Sequence, residues 1–177
     1  MTGSPAALAP DCAKCCGLCC VAPTFDADQG FGYDKPAHTP CRHLLADCRC
    51  AIHAQLATSG FPGCAQFDCH GAGQRVTQQV FGGRSWQESP ELAQQMFDTY
   101  SRLLPLHELM SFVSWSLPRV ATDADRERLE EQLQAIDALG DRIAVDGDAA
   151  AVRAIRAETL ALLRERLPPP FAPRTAP

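Results

Sequence analysis

Ten cysteines carry most of the chemistry this sequence could perform, and all of them fall between Cys12 and Cys69. Five stand within nine residues, Cys12-x2-Cys15-Cys16-Gly17-Leu18-Cys19-Cys20. Two thiolates spaced by two residues can reach one metal from a single turn, and Gly17 permits the tight backbone that brings the next pair round. Adjacent residues such as Cys19 and Cys20 are expected to project in different directions, which favours one of them serving a second centre or the core. Burial as small hydrophobes accounts for one or two cysteines, not five. Cys41, Cys48, Cys50, Cys64 and Cys69 follow singly or in pairs. Alone each is a weak signal; together they can close sites that the first cluster opens.

Such density in a short secreted chain would mean a disulfide scaffold. The opening residues, MTGSPAALAPDCAKCC, lack a basic stretch followed by an apolar one. The expectation is therefore a cytoplasmic protein, whose reducing surroundings favour metal binding over disulfides. An all-thiolate donor set suits a [4Fe–4S] cluster or closed four-thiolate zinc sites. Consecutive cysteines wrapped round one end tilt the expectation slightly to iron–sulfur, while Lys14, Lys35, Arg42 and Arg49 could partly offset the charge of either.

The histidines are read more cautiously. His53 lies three residues after Cys50 and is within reach as a ligand, yet a hydrogen-bonded surface histidine on a short helix is the preferred account, and the same holds for His43 and His70. His38 reads as an exposed loop residue. His107 shares an apolar face with Leu103 and Met110 and reads as a satisfied core histidine ahead of a ligand or proton carrier. Gly71-Ala72-Gly73-Gln74 reads as a turn rather than a phosphate loop, since no strand precedes it. No set of nucleophile, acid and base is legible. The alternative to a structural, redox or partner-binding metal protein is an enzyme, or enzyme component, using the centre with His107 or His53 as proton carrier; an open coordination position would mark it.

The elements that must position these residues divide at about Trp86. From Cys12 to there Gly, Pro, Cys and Asp abound and no period is sustained, so ordering this stretch needs cross-links. Metal–thiolate bonds would supply them. Beyond it helices are legible. Ser89-Pro90-Glu91 starts one, with Leu92, Met96, Tyr100 and Leu103 at helical spacing; Pro105 is expected to bend or interrupt it, and apolar residues resume from Leu106 to Trp115. Thr122 with Asp125 starts the next, striped by Leu129, Leu133 and Ile136, with Gly140 as the expected stop. A last helix runs from about Asp148 to Leu167. The fold expected is mainly α: an irregular cysteine-rich metal-binding region, 12–86, on an antiparallel bundle of three or four helices, 87–167, with a flexible lead-in over 1–11 and a disordered tail over 168–177.

Composition narrows the partners. Lys and Arg total 16 against 21 Asp and Glu, a net charge of −5 with a pI near 5.5, which gives no footprint for nucleic acid or anionic lipid. No apolar stretch approaches the roughly 20 residues of a membrane-spanning helix. A metal ion or cluster is the expected ligand, and a protein partner is left open. The predominance of Arg over Lys and abundant Ala match a GC-rich bacterial genome.

The cluster Cys12-x2-Cys15-x-Gly17-Leu18-Cys19-Cys20, with single cysteines after it, resembles the bacterial CxxCxxCC cysteine-cluster proteins (YkgJ-like), described as zinc- or iron-chelating domains. The runs CCVAPTFDADQGFGYDKPAHTPC, RCAIHAQL, GFPGCAQFDCHGAGQ and FGGRSW are more closely similar to the cysteine-rich region that precedes pentapeptide repeats in some actinobacterial proteins. This resemblance covers about residues 12–115 and implies eight metal ligands: Cys12, Cys15, Cys19, Cys20, Cys41, Cys50, Cys64 and Cys69. It leaves out Cys16 and Cys48. One residue more separates Cys15 from Cys19 than in the plain motif, and no pentapeptide repeat follows in these 177 residues, so no role of the repeats is carried over.

Overall fold

The computed structural model describes residues 8–167. Three short helices, α1 (Leu18–Val21), α2 (Pro62–Gln66) and α3 (Ala72–Gln74, continued by a π-helical turn over Arg75–Val80), precede three long ones, α4 (Pro90–Ser116), α5 (Asp123–Asp146) and α6 (Ala149–Arg166). The fold is mainly α. Among the described residues there is no strand, only isolated bridges between Phe25 and Lys35 and between Leu44 and Cys50.

The long helices start where their caps stand. The hydroxyl of Ser89 accepts from the Leu92 amide, that of Thr122 from Asp125, and the Asp148 carboxylate from Ala151, each satisfying a first-turn donor. α4 and α5 run antiparallel: Arg126 donates to the Leu117 carbonyl at one end, and Thr99 to that of Ala144 at the other. α5 and α6 do the same through Arg166–Asp125 and Gln132–Thr159.

Two residues expected to interrupt or stop a helix do not end theirs. Pro105 lies inside an uninterrupted α4. Proline within a helix costs about 3 kcal/mol, but Leu103 and Leu106 beside it are fully buried, and two such side chains repay that cost at roughly 1.5–3 kcal/mol each. Gly140 does not stop α5, which runs on to Asp146 and is closed by Gly147 at φ +69°. Gly140 is a packing residue instead: a Cβ there would stand 3.1 Å from the Arg75 guanidinium.

That guanidinium joins the two halves. Arg75, almost wholly buried on the π-helical turn, pairs through Nη1 with Asp137 and through Nη2 with Asp141, both at 2.7 Å, and Nη2 also donates to the Asp137 carbonyl. The hydrophobic core is likewise continuous, since Leu18, Val21, Ala72 and Val76 pack into one cluster with Met96, Tyr100, Met110, Ile136 and Leu163. Of the expected lead-in, residues 1–7 lie outside the described residues, as does the expected tail over 168–177. Residues 8–11 are held: Leu8 packs on the core, and Gln74 bonds both the Ala9 carbonyl and the Asp11 amide.

Candidate metal centre

Local backbone chemistry aims the first thiols. Asp11 caps a 3-10 turn over Cys12–Lys14, which sets Cys12 and Cys15 one turn apart. Gly17 then takes the left-handed conformation, φ +73°, and a Cβ there would meet both the Cys48 carbonyl and Leu44 at 2.8 Å. The chain reverses into α1 and delivers Cys19 and Cys20. Their sulfurs lie 3.9 Å apart, so these neighbours do not diverge as expected. A zinc–thiolate bond of about 2.3 Å places the sulfurs of a tetrahedral site about 3.8 Å from one another. The Cys19–Cys20 separation has that scale, which is equally that of van der Waals contact between two sulfurs on neighbouring centres.

The later cysteines come round to the same place. The Cys41 amide donates to the Cys20 carbonyl at 2.9 Å; the Leu44–Cys50 bridge, with the Ala51 amide on His43, folds Cys50 back beside Cys41. Cys64 rides on α2, whose preceding residue, Phe61, packs edge-on against Tyr33 and His43. Cys69 precedes α3, and Gly73 on that helix lies so close to Cys15 that a Cβ would stand 2.6 Å from its sulfur. The outcome is one cavity of about 390 Å³ whose wall carries Cys12, Cys15, Cys19, Cys20, Cys41, Cys50, Cys64 and Cys69, completed by apolar side chains such as Phe25, Phe31 and Ile52. All ten cysteines are free thiols. Among the described residues no three His, Cys, Asp or Glu side chains are gathered closely enough to hold an ion as they stand; the sulfurs ring the space rather than meet in it.

Three features of the wall fit thiolates and a soft metal. Amide donors already face sulfur: His43 N–H reaches Cys41 Sγ at 3.5 Å, those of Leu18 and Gly17 act on Cys15, and that of Ile52 on Cys50. Such bonds favour the charged form. Second, the thiols press on one another. Burial pushes Cys15 up to about 12, with Cys16 and then Cys69 adding to it, and Cys64 up to about 11, with Cys20, Cys41 and Cys50 adding to it; both stay protonated on their own, and a cation among them would relieve that penalty. The contact between Cys19 and Cys20 raises Cys19 well above an ordinary thiol and holds Cys20 below one, aided by Lys35. Third, the Tyr100 hydroxyl is buried with no hydrogen-bond partner. Burial and then the thiols of Cys19, Cys69, Cys15 and Cys20 push its ionisation far up, so it is a neutral donor in the neighbourhood of these sulfurs that bonds none of them.

Lys35 is buried too. Its ammonium donates to the carbonyls of Val21, Pro23 and Pro36 and sits 4.5 Å over the Phe25 ring, a placement the sequence reading did not single out. Of the two cysteines left out of the expected ligand set, Cys16 is buried away from the cavity with its sulfur 3.4 Å from the Thr77 hydroxyl. Cys48 does reach the cavity wall, but its thiol faces Gln87 Oε1 at 3.7 Å.

His107 is a satisfied core residue. Nδ1–H donates to the His70 carbonyl at 2.7 Å, and Nε2 faces Arg75 Nη1 at 3.4 Å, leaving neither ring nitrogen for proton traffic. It pins the turn that follows Cys69, where His70 takes φ +46°. His53 is exposed at the cavity rim, His43 packs on Phe61, and His38 is an exposed loop residue whose ring lies 5.1 Å from that of Phe97. Gly71-Ala72-Gly73-Gln74 is not a free turn. Gly71, at φ +80°, opens α3, and short side chains there let the helix close on Cys15.

Among known proteins, one named Uncharacterized protein YybG, of Bacillus subtilis (strain 168), is 43% identical to this chain over 110 residues. The match covers 62% of this chain and 39% of that protein, so the chain spans well under half of the relative's length. No family model and no solved structure matches the chain.

Proposed function

We propose that the chain is a metal-binding protein in which Cys12, Cys15, Cys19, Cys20, Cys41, Cys50, Cys64 and Cys69 hold a thiolate-ligated centre, an iron–sulfur cluster or zinc, in a structural, redox or partner-binding role. The observation that carries this reading is the meeting of these eight thiols, from the Cys12–Cys20 cluster and four later positions in the chain, on the wall of one cavity. Eight free thiols gathered at one cavity are a poor stabilising device by themselves, because most gain nothing from one another's proximity; as thiolates on a soft metal they would cross-link a segment with few other ties. Thiolate ligation also suits a reducing compartment such as the cytoplasm. For the alternative, an enzyme or enzyme component using the centre, His107 is fully engaged and only His53, exposed at the cavity rim, is placed as a proton carrier.

Purification of the full chain without oxygen, followed by metal and acid-labile sulfide analysis and an optical spectrum, tests this reading. Zinc without visible absorption, or iron with equimolar sulfide and broad charge-transfer bands, is the expected outcome. A chain that emerges metal-free with all thiols titratable, and takes up neither zinc nor iron and sulfide on reconstitution, would overturn it.

A further inference from the structure

We infer that the eight thiols form two closed four-thiolate centres side by side, one from Cys12, Cys15, Cys19 and Cys69 and the other from Cys20, Cys41, Cys50 and Cys64, with the adjacent pair Cys19 and Cys20 as the shared wall. This rests on the metal-binding reading above and assigns its ligands. The backbone groups them in this way. Cys12 and Cys15 share one 3-10 turn; the helix that follows Cys69 presses Gly73 onto the Cys15 sulfur, and Gln74 of that helix is bonded to Ala9 and Asp11, just before Cys12. Cys41 hangs from the Cys20 carbonyl, Cys50 is folded beside Cys41 by the Leu44 bridge, and Phe61 docks the start of the Cys64 helix on His43 and Tyr33.

Each group has its own compensating polar residue. Tyr100, with its unpartnered buried hydroxyl, has its ring beside Gly73, on which the Cys15 sulfur also presses, and is influenced by Cys19, Cys69 and Cys15 more than by Cys20. Lys35 acts on Cys20 and Cys41. A hydroxyl with no acceptor in the protein gains one when a neighbouring sulfur becomes an anionic metal ligand, which relieves the penalty of burying the donor unpaired. Four protein ligands per centre leave no position for water or substrate, so these are structural or electron-carrying sites rather than Lewis-acid ones.

The full chain, reconstituted with zinc and weighed by native mass spectrometry, should carry two ions. Cys69→Ser and Cys41→Ser should each lose one. Cys15→Ser with Cys69→Ser should still lose only one, whereas Cys69→Ser with Cys41→Ser should lose both. A same-group pair that loses both ions, or a cross-group pair that loses one, would overturn the partition; no zinc, and no iron with sulfide, in the wild-type chain would instead sink the metal-binding reading itself. Should cysteine variants fail to fold, cobalt titration of the unaltered ligands decides: tetrahedral cobalt absorption should saturate at two equivalents. Tyr100→Phe should shift the sulfur-to-cobalt band of one equivalent only. Saturation at one equivalent, or a Tyr100→Phe band shift in both equivalents or in neither, would refute the assignment.

Discussion

At the scale of single residues, the cysteines sort by what their sulfurs face. Replacing Cys19 or Cys20 by serine should lower metal content sharply, because a neutral hydroxyl is a far poorer ligand than a thiolate. Cys16→Ser should keep full metal content, since the Cys16 sulfur faces Thr77 and not the cavity. Cys48→Ser should be mild, its thiol being turned to Gln87. Metal analysis of the four variants checks this, and equal losses in all of them would defeat it. Gly73→Ala probes the same wall without touching a ligand. Its methyl would stand 2.6 Å from the Cys15 sulfur, against a side chain fixed by burial, so Cys15 must move; zinc affinity should fall at least tenfold while helix content is kept. That cysteines gather at one place was legible in the sequence because thiols are rare and their spacing dense, while the choice of eight among ten came from the resemblance. Lys35 was legible only as a charge able to offset the centre and Tyr100 only as part of a helical stripe, since nothing in their local sequence shows a buried ammonium or an unpartnered hydroxyl.

At the scale of elements, the helices and the loops answer to different forces. α4, α5 and α6 bury stripes of Leu, Ile and Met and have capped starts, whereas residues 23–70 hold only short turns, the five-residue helix α2 and two isolated bridges. Removing the metal with a chelator should therefore speed amide hydrogen exchange over 23–70 by orders of magnitude while far-ultraviolet circular dichroism keeps most of its helical signal. Parallel loss of both signals would show that the loops and the bundle melt as one unit. The ends of α4 and α6 and the start of α5 could be read from caps and apolar period. Pro105 and Gly140 misled because breaker residues report local preference, and tertiary packing overrode it by burying Leu103 and Leu106 and by seating Arg75. The helix from Ala72 to Val80 was missed outright. Its glycine, short length and π-helical continuation give no 3.6-residue stripe, and its stability comes from the groups it contacts, Cys15 and Thr77 with Cys16 among them.

At the scale of the whole molecule, the cysteine-rich half and the bundle are joined through one buried polar junction. Arg75 spans Asp137 and Asp141 on α5, and His107 on α4 links that guanidinium to the carbonyl of His70, next to Cys69. Burial first, with Arg75 adding to it against the opposing pull of the His70 carbonyl and Asp137, lowers His107 from 6.5 to about 4. In the unfolded chain this histidine takes up its proton near pH 6.5, but in the folded chain only near pH 4. The unfolded state thus binds more protons between those values, and stability must fall as pH drops through that window, by about 3 kcal/mol in all at 1.36 kcal/mol per pH unit. Above pH 6.5 this contribution is fully present. Exposed carboxylates titrate in part of the same range, so the measurement is a difference: denaturant unfolding of wild type and His107→Gln at several pH values from 7 to 4. Glutamine can still donate to the His70 carbonyl but cannot take up a proton, so its stability should fall less steeply with acid and the two curves should converge toward pH 4. Curves that stay parallel would mean that His107 already carries its proton in the folded junction, with Arg75 beside it held by the two aspartates alone.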